Sequence, residues 1–289
     1  MNENILITGA TGFLGSHLTH AILEQGYTPL ALKRESSDTN RIKDVLEEIK
    51  VYNVEDIDKA FSEQHITAVI HTACSYGRNG ETVETILQSN LMFGIQVLEA
   101  AIRHKVETFI NTDTLLSRNL NNYALSKKQF VEWLKVMSDK IQVVNLKLEH
   151  IYGREDDSKK FIPWLLQQLS NNVDEIKLTS GIQKRDFLYI SDVVAAYLLI
   201  LEKRKNLATF SEFDIGTGNT VSVHDFVENL YTQYVKLHPK TSTKLLFGAV
   251  PYRVGEQMEV EENVEPLKRL GWKPNVEYSD GIKFILEDY

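Results

Sequence analysis

Short apolar segments alternate along the chain with longer segments in which apolar residues recur every three or four positions. The short apolar runs predict buried strands, and the longer spacing predicts helices with one buried face. The predicted strands cover residues 5–8, 28–32, 50–52, 68–71, 106–111 and 142–148. The predicted helices cover residues 13–25, 40–49, 54–64 and 81–105, and a further helix contains residues 123–127. Strands that alternate with helices are typical of an α/β fold with a doubly wound parallel sheet.

The sequence changes character after Gly153. A charged segment over residues 154–160 leads to Phe161, which opens a helix that has proline in its first turn. The remaining predicted elements are a helix over 191–203, a strand over 213–215 and a helix over 222–236 that Ser222 caps. We expect this part of the chain to form a smaller α/β lobe.

A glycine-rich turn joins the first predicted strand to the first helix. Its glycines permit a tight turn, the close approach of a pyrophosphate, and close packing of the helix on the strand. The free N–H groups at the start of the helix favour phosphate. A strand before the motif and a helix after it predict dinucleotide binding, and a purely structural turn is the alternative. The predicted contact residues are Gly9, Thr11, Gly12, Phe13, Leu14 and Gly15.

Tyr123 and Lys127 are four residues apart in a predicted helix, so their side chains lie on one face. A lysine ammonium beside a tyrosine favours the phenolate and lowers the tyrosine pKa toward a range useful for proton transfer. The hydroxyl of Thr112, which follows a predicted strand, completes a carbonyl/alcohol acid–base site. The alternative is a solvent-exposed Tyr–Lys pair with no chemical role.

Composition limits the function further. The chain has 289 residues, 43% hydrophobic content and a net charge of −8, which is typical of a globular protein and disfavours a nucleic-acid-binding surface. The longest apolar run, residues 193–201, is too short to span a membrane, and the chain enters a strand without a leader, so we expect a cytoplasmic protein. Cys74 is the single cysteine and suits a reducing compartment. No Cys/His spacing indicates a metal.

Together these motifs resemble the extended short-chain dehydrogenase/reductase family, which includes nucleotide-sugar epimerases, dehydratases and reductases. The resemblance covers essentially the whole chain and implies a Rossmann sheet with a C-terminal substrate lobe. Four segments are similar to the CDP-abequose synthase type of nucleotide-sugar C4 reductase, namely residues 109–113, 148–153, 160–163 and 185–187.

The resemblance also implies the cofactor site. The second strand ends at Lys33 and Arg34, where an acidic residue would suit NAD, so we expect NADP(H) with NAD(H) as the alternative. A solvated basic loop is the other interpretation of these residues. The further cofactor contacts that the resemblance implies are Asn53, Thr72, Ala73, Tyr123, Lys127 and His150.

The segment Thr112-Asp113-Thr114 bears on the reaction. The dehydratases of the family carry Thr-Asp-Glu here, and a threonine hydroxyl cannot replace the missing base, so dehydration is disfavoured. Thr112 matches the catalytic Ser/Thr position, with Thr114 as a secondary candidate. Ten residues separate Thr112 from Tyr123, about half the length that the family usually has for this loop. The reacting end of the substrate is then either more open or covered by another part of the chain.

The residues expected to bind substrate come from several segments. The proposed contacts are Tyr76, Asp113, Thr114, Phe161, Arg185, Arg253 and Glu256. Arg185 resembles an arginine that contacts the diphosphate of a nucleotide sugar, and the alternative is a structural ion pair with a neighbouring carboxylate.

The leading hypothesis is NADPH-dependent reduction of the C4 ketone of a CDP- or dTDP-linked 4-keto-6-deoxyhexose, which would supply bacterial surface polysaccharide. A nucleotide-sugar C4 epimerase with retained NAD and a non-catalytic dinucleotide-binding regulator are the alternatives. We expect a dinucleotide-binding domain over 1–152 with about 186–208, a substrate lobe over 153–185 and 209–289, and, by resemblance, a homodimer.

Overall fold

The structure is a computed structural model that describes residues 3–253 and 255–287. The chain divides into two compact units. The larger unit comprises the chain up to Leu148 together with Val194–Ile215 and Glu265–Trp272, and the smaller comprises Glu149–Val193, Gly216–Val264 and the chain from Lys273 onward. The domain boundaries expected from the sequence stay a prediction.

The elements are numbered in chain order. The strands are β1 (Asn4–Thr8), β2 (Thr28–Lys33), β3 (Lys50–Asn53), β4 (Ile66–His71), β5 (Thr108–Thr114), β6 (Gln142–Leu148), β7 (Ile151–Tyr152), β8 (Glu175–Lys177), β9 (Lys184–Arg185), β10 (Leu188–Tyr189), β11 (Phe210–Ile215), β12 (Val221–Ser222) and β13 (Lys244–Leu246). The helices are α1 (Phe13–Glu24), α2 (Ile57–Glu63), α3 (Val83–Leu87), α4 (Phe93–Arg103), α5 (Asn122–Met137), α6 (Phe161–Ser170), α7 (Ile190–Lys203), α8 (Val223–Leu237), α9 (Glu265–Arg269) and α10 (Tyr278–Leu286).

A seven-stranded parallel sheet forms the larger unit, in the order β11-β6-β5-β4-β1-β2-β3. The order changes direction between β1 and β4, and ligands of such sheets bind at the carboxyl ends of the strands beside that point. All six residues of β4 are buried, as is typical of a strand covered by helices on both faces. The predicted doubly wound parallel sheet is confirmed.

The prediction of a helix over residues 40–49 is wrong. Only Asn40–Ile42 form a short 3₁₀ helix, and the chain continues in turns in which the Val45 N–H donates to Ile42 and the Glu48 N–H donates to Val45. Ile42 and Val45 are both buried. Because a 3₁₀ turn places residues i and i+3 on one side, these turns bury the same apolar positions without an α-helix.

Two other segments differ from the prediction in detail. The long helical stretch predicted over 81–105 consists of α3, a π-helical turn over Gln88–Met92, and α4. The strand predicted over 106–111 extends to Thr114, so Thr112 stands within β5 instead of after it. π-Helical turns occur frequently at functional sites, and this one carries the buried Asn90.

Within its described residues, the smaller unit contains three two-stranded sheets, formed by β7 with β10, β8 with β13, and β9 with β12. Its core is aromatic: the rings of Phe187 and Phe226 stack with centroids 3.8 Å apart, and Tyr152 packs edge-on against both. The Tyr152 hydroxyl donates to the Tyr278 carbonyl at 3.0 Å. Among the described residues, none of the helices combines the length and the apolar character needed to cross a membrane.

His71, at the end of β4, is a fully buried core histidine. Its Nδ1 lies 2.9 Å from the Thr8 hydroxyl, and its ring packs against phenylalanine rings. Burial lowers the pKa of His71 to about 3, and the neighbouring charge of Lys127 adds to this effect. The imidazole is therefore neutral at physiological pH and belongs to the core.

The neutral His71 should make folding stability depend on pH. The unfolded histidine titrates near 6.5 and the folded one near 3, so between these values only the unfolded state binds the proton. Stability therefore falls as pH falls through this window, by about 1.4 kcal/mol per pH unit from this residue. We expect His71→Asn to be less stable than wild type at pH 7 but to lose this part of the slope. Urea unfolding at pH 5, 6 and 7 measures the free energy of unfolding and its slope with pH. The control is His65→Asn, which replaces an exposed histidine. Equal slopes in wild type and His71→Asn would contradict the assignment.

Candidate active site

The glycine turn forms a cradle at the carboxyl end of β1. Gly9 has a φ of +69°, and a Cβ there would lie 2.8 Å from the Ala73 nitrogen. A Cβ at Gly15 would lie 2.0 Å from the Gly9 carbonyl oxygen. Gly12 precedes α1 and provides no side-chain cap, so the first N–H groups of the helix are left for an acceptor. The cradle therefore fits the pyrophosphate of a dinucleotide.

The other predicted residues of the cradle are Thr11, Phe13 and Leu14. Phe13 and Leu14 are buried with their side chains in the core, and the Thr11 carbonyl accepts a hydrogen bond from Arg41 at 3.4 Å. Arg41 brings a cation to the glycine turn. Sequence analysis missed it because the wrongly predicted helix over 40–49 gave no reason to direct this side chain there.

The segment that follows β4 is fixed against β1. The Thr72 hydroxyl donates to the Thr8 carbonyl at 2.7 Å, and the Ala73 N–H donates to the Thr8 hydroxyl at 3.3 Å. These bonds hold the backbone of Thr72 and Ala73 beside Gly9, as close contact with a dinucleotide requires. The role of Thr72 and Ala73 as cofactor contacts stays a prediction.

The predicted cofactor residues of the neighbouring strands lie at the ends of β2 and β3. Arg34 is exposed, and its N–H donates to the Ser37 hydroxyl at 3.2 Å, which closes a turn. The Lys33 ammonium donates to the Arg34 carbonyl at 3.2 Å. Asn53 ends β3 and is partly buried. Arg34 is thus exposed just after β2, and a guanidinium group is suited to bidentate binding of phosphate.

α5 carries the Tyr–Lys pair and begins at a side-chain cap. The Asn121 side chain accepts a hydrogen bond from the Ala124 N–H at 2.8 Å. Lys127 is 1% exposed, and its ammonium has no hydrogen-bond or ion-pair partner within residues 3–253 and 255–287. Burial lowers the pKa of Lys127, while the acidic groups of Cys74 and Asp113 oppose this effect. A ligand that offers hydroxyl oxygens, such as a ribose, would satisfy the ammonium.

The pKa of Tyr123 stands well above its usual value. Burial is the main cause, the acidic groups of Cys74 and Asp113 add to it, and the positive charge of Arg78 acts in the opposite direction. The sequence analysis predicted that Lys127 would lower this pKa, and in the structure the net direction is the reverse because desolvation of the phenolate outweighs the positive charge of Arg78. Tyr123 is therefore protonated at neutral pH and can donate its proton.

Tyr76 lies directly beside Tyr123. The two ring centroids are 5.0 Å apart, and the guanidinium of Arg78 stands 4.9 Å above the Tyr76 ring. Tyr76 is 40% exposed, so one part of its ring is available to a ligand. The structure thus places this predicted substrate residue next to the proposed proton donor. Arg78 was not identified from the sequence.

Asn90 ties the segment after β4 to α5. Its carbonyl accepts from the Ser75 N–H at 2.6 Å, and its amide donates to the Ser75 carbonyl and the Ser126 hydroxyl, both at 2.9 Å. Because Ser126 precedes Lys127, this buried side chain fixes Tyr76 and the Tyr–Lys pair relative to each other.

The hydroxyl of Thr112 meets a partner that sequence analysis did not find. Its Oγ1 lies 2.7 Å from the hydroxyl of Tyr197, which stands on α7 and is fully buried. The residues are 85 positions apart, so no local pattern indicates the pair. Thr112 itself is partly buried.

Asp113 and Thr114 are engaged by the protein. The Asp113 carboxylate accepts from the Lys128 ammonium at 2.8 Å and from the Asn145 amide at 3.3 Å, and it is buried. The Thr114 hydroxyl accepts from the Leu116 N–H at 3.2 Å. Lys128 thus neutralises the carboxylate of Asp113, the residue that follows Thr112 in β5.

Asp113 belongs to a polar ladder across three strands. The Asn111 amide donates to the Asn145 carbonyl at 2.7 Å, and the Asn145 amide donates to Glu212 at 2.8 Å. In the next row, Lys147 pairs with Asp214 at 2.7 Å. The register places Asn111, Asn145 and Glu212 opposite one another, so these polar residues lie on one face of the sheet.

The remaining predicted substrate residues belong to the smaller unit. The Arg185 guanidinium is buried and pairs with the Glu256 carboxylate. Arg253, 92% exposed, lies 3.8 Å from the same carboxylate. Residue 254, between these two predicted contacts, is outside the described residues. The ion pair is the structural alternative that the sequence left open for Arg185. Phe161 opens α6 and is partly exposed.

His150 has a φ of +44°, a backbone conformation that is uncommon for a residue other than glycine. Its Nδ1 lies 3.1 Å from the Glu149 carboxylate, and its ring packs edge-on against Phe187. The ring orientation is therefore fixed by its neighbours in the smaller unit. The role of His150 at the cofactor stays a prediction.

The sheet, the glycine cradle and the Thr–Tyr–Lys residues define a dinucleotide-dependent enzyme of the short-chain dehydrogenase/reductase type. Residues 5–216 match the NAD dependent epimerase/dehydratase family, and the chain belongs to this family. It is an NAD(P)-dependent enzyme of the class that modifies nucleotide sugars, as the sequence predicted.

The chain is also similar to individual proteins, both in sequence and in structure. The chain is 34% identical to CDP-abequose synthase of Salmonella muenchen, an alignment that covers 99% of this chain and 98% of that protein. A UDP-glucose 4-epimerase of Thermotoga maritima, solved with UDP-glucose, superposes with a TM-score of 0.85 at 22% identity, covering 98% of this chain and 97% of the other. The UDP-glucose 4-epimerase of Thermus thermophilus, solved with NAD, gives a TM-score of 0.82 at 21% identity, covering 98% of each. The two structural likenesses show the fold.

Proposed function

We propose that this protein reduces the C4 ketone of a nucleotide-diphosphate 4-keto-6-deoxyhexose, linked to CDP or dTDP, with NADPH. The observation that carries the proposal is the state of the acid–base groups on β5 and α5. Tyr123 is held protonated, whereas Asp113 is neutralised by Lys128 and Thr114 replaces a carboxylate. Reduction of a ketone needs one proton donor, but dehydration needs an additional base, which this strand does not offer.

Different residues of the site have different roles in the proposed reduction. The chemistry that a bound nicotinamide cofactor supplies to this site is hydride transfer. The Lys127 ammonium binds the ribose hydroxyls, Tyr123 donates its proton to the ketone oxygen, and the Thr112 hydroxyl hydrogen-bonds the same oxygen. The glycine cradle binds the pyrophosphate through the N–H groups of α1.

The preference for NADP(H) over NAD(H) rests on the cations around the end of β2. Arg34 is exposed there, Lys33 is adjacent, and Arg41 contacts the carbonyl of Thr11 in the glycine turn. Guanidinium groups bind phosphate with two parallel hydrogen bonds, which suits the 2′-phosphate.

The likeness to CDP-abequose synthase over nearly the whole chain supports a sugar nucleotide of the CDP type as substrate and a role in the O-antigen of lipopolysaccharide. A cytoplasmic homodimer is part of the proposal.

Incubation with NADPH and a panel of CDP- and dTDP-linked 4-keto-6-deoxyhexoses tests this function. We expect NADPH to be oxidised in a 1:1 ratio to the sugar nucleotide consumed, and NMR of the product to show one configuration at C4. Interconversion of C4 epimers without consumption of added NADPH would instead establish the epimerase. Absence of both reactions across the panel would overturn the proposal.

A further inference from the structure

In the hydrogen bond between Thr112 and Tyr197, burial determines which hydroxyl is the donor. The Tyr197 hydroxyl is fully buried, and Thr112 Oγ1, at 2.7 Å, is its hydrogen-bond partner within the described part of the chain. Burial raises the pKa of Tyr197, so its hydroxyl keeps its proton. A buried hydroxyl proton without an acceptor costs free energy, and only donation from Tyr197 to Thr112 avoids that cost.

This direction determines where the Thr112 proton points. A hydroxyl that accepts from Tyr197 through its oxygen must use its own proton for another acceptor. Within residues 3–253 and 255–287, the Thr112 hydroxyl has no other partner, so its proton is left for a ligand. A hydroxyl that receives a hydrogen bond is also polarised and becomes a stronger donor.

We propose that Tyr197 is a positioning residue that donates to Thr112 Oγ1 and so directs the Thr112 hydroxyl proton at the substrate oxygen. The inference rests on the proposed reduction of a ketone. With Tyr197 in place, Thr112 offers the substrate a donor and not an acceptor, which suits a carbonyl oxygen on which negative charge develops. Tyr197, which does not touch the substrate, thus makes Thr112 select a substrate atom that accepts a hydrogen bond.

Two isosteric variants isolate the contact. Tyr197→Phe removes only the donated hydrogen bond, and Thr112→Val removes the acceptor and the catalytic hydroxyl together. We expect Tyr197→Phe to lower kcat about tenfold with little change in KM, because only the transition state gains from the oriented proton. In the Thr112→Val background the same substitution should have no further effect on kcat, because Tyr197 acts through Thr112. Tyr152→Phe loses a comparable buried hydrogen bond and should leave kcat unchanged.

A spectroscopic measurement tests the hydrogen bond without turnover. In the full-length protein labelled with ¹³Cζ-tyrosine, the Tyr197 signal is assigned by its loss in Tyr197→Phe. We expect Thr112→Val to shift this signal and Thr112→Ser, which keeps the hydroxyl, to leave it near the wild-type position.

An unshifted signal in Thr112→Val would overturn the inference, as would additive losses of kcat in the double variant. Lack of turnover in the wild-type protein with every substrate of the panel would count against the proposed function, and the NMR result would still decide the hydrogen bond.

Discussion

Tyr123→Phe should lower turnover by about 10²- to 10⁴-fold, the range expected when a general acid is removed from an acid–base site. The phenylalanine ring fills the same space beside Tyr76, but it has no proton to give to the ketone oxygen. Lys127 and the glycine cradle are unchanged, so NADPH should bind with near wild-type affinity. The rate of NADPH oxidation with a saturating 4-keto sugar nucleotide measures turnover, and fluorescence titration with NADPH measures the affinity for the cofactor.

Tyr231→Phe is the matched control for this variant. Its hydroxyl donates to the Thr243 carbonyl at 2.6 Å, so the substitution removes one tyrosine hydrogen bond of the smaller unit. Turnover should stay within twofold of wild type. Equal activity of Tyr123→Phe and wild type would remove Tyr123 from the mechanism, and a parallel loss of NADPH affinity would show that the Tyr123 hydroxyl binds the cofactor instead.

The raised pKa of Tyr123 bears on the role expected of Lys127. The sequence analysis predicted that Lys127 lowers the pKa of Tyr123. In the structure, burial raises that pKa and keeps the Tyr123 hydroxyl protonated. An enzyme that delivers a proton at neutral pH needs the protonated state at the start of the reaction. Lys127 has no partner among the described residues, which fits the proposed role of its ammonium as a binding group for ribose hydroxyls.

The parts of the site that the sequence predicts are those set by short-range geometry. Gly9 follows a buried strand and Gly15 lies in the first turn of the next helix, and this spacing predicts the close packing that the structure shows at both positions. Tyr123 and Lys127 face the same way because they are one helical turn apart. The strand–helix alternation likewise requires a parallel sheet with covered faces.

The contacts that sequence analysis missed join residues far apart in the chain. Thr112 meets Tyr197, and Asp113 meets Lys128, because the register of the sheet and the packing of α5 and α7 bring them together. Such pairs depend on tertiary packing, to which a single sequence gives no periodic signal. The wrong helix over 40–49 has a different cause, since a three-residue spacing of apolar positions suits both an α-helix and successive 3₁₀ turns.

Gly9→Ala should abolish measurable NADPH binding, with an affinity loss of about 100-fold or more, and should also destabilise the protein. Gly9 has a φ of +69°, where a Cβ costs on the order of 1–3 kcal/mol. In addition, that Cβ would lie 2.8 Å from the Ala73 nitrogen and 2.9 Å from the Thr72 hydroxyl, so the backbone of the cradle must shift. Fluorescence titration with NADPH and urea unfolding measure the two effects.

Gly26→Ala separates the steric effect from the conformational one. Gly26 has a similar φ of +80°, but no atom lies within 4 Å of its added Cβ, and it follows the opposite end of α1. We therefore expect Gly26→Ala to carry only the conformational cost and to bind NADPH like wild type. Retention of NADPH binding in Gly9→Ala, with a stability loss equal to that of Gly26→Ala, would mean that the turn tolerates a side chain. The phosphates would then have to bind elsewhere than in the space between Gly9, Ala73 and the start of α1.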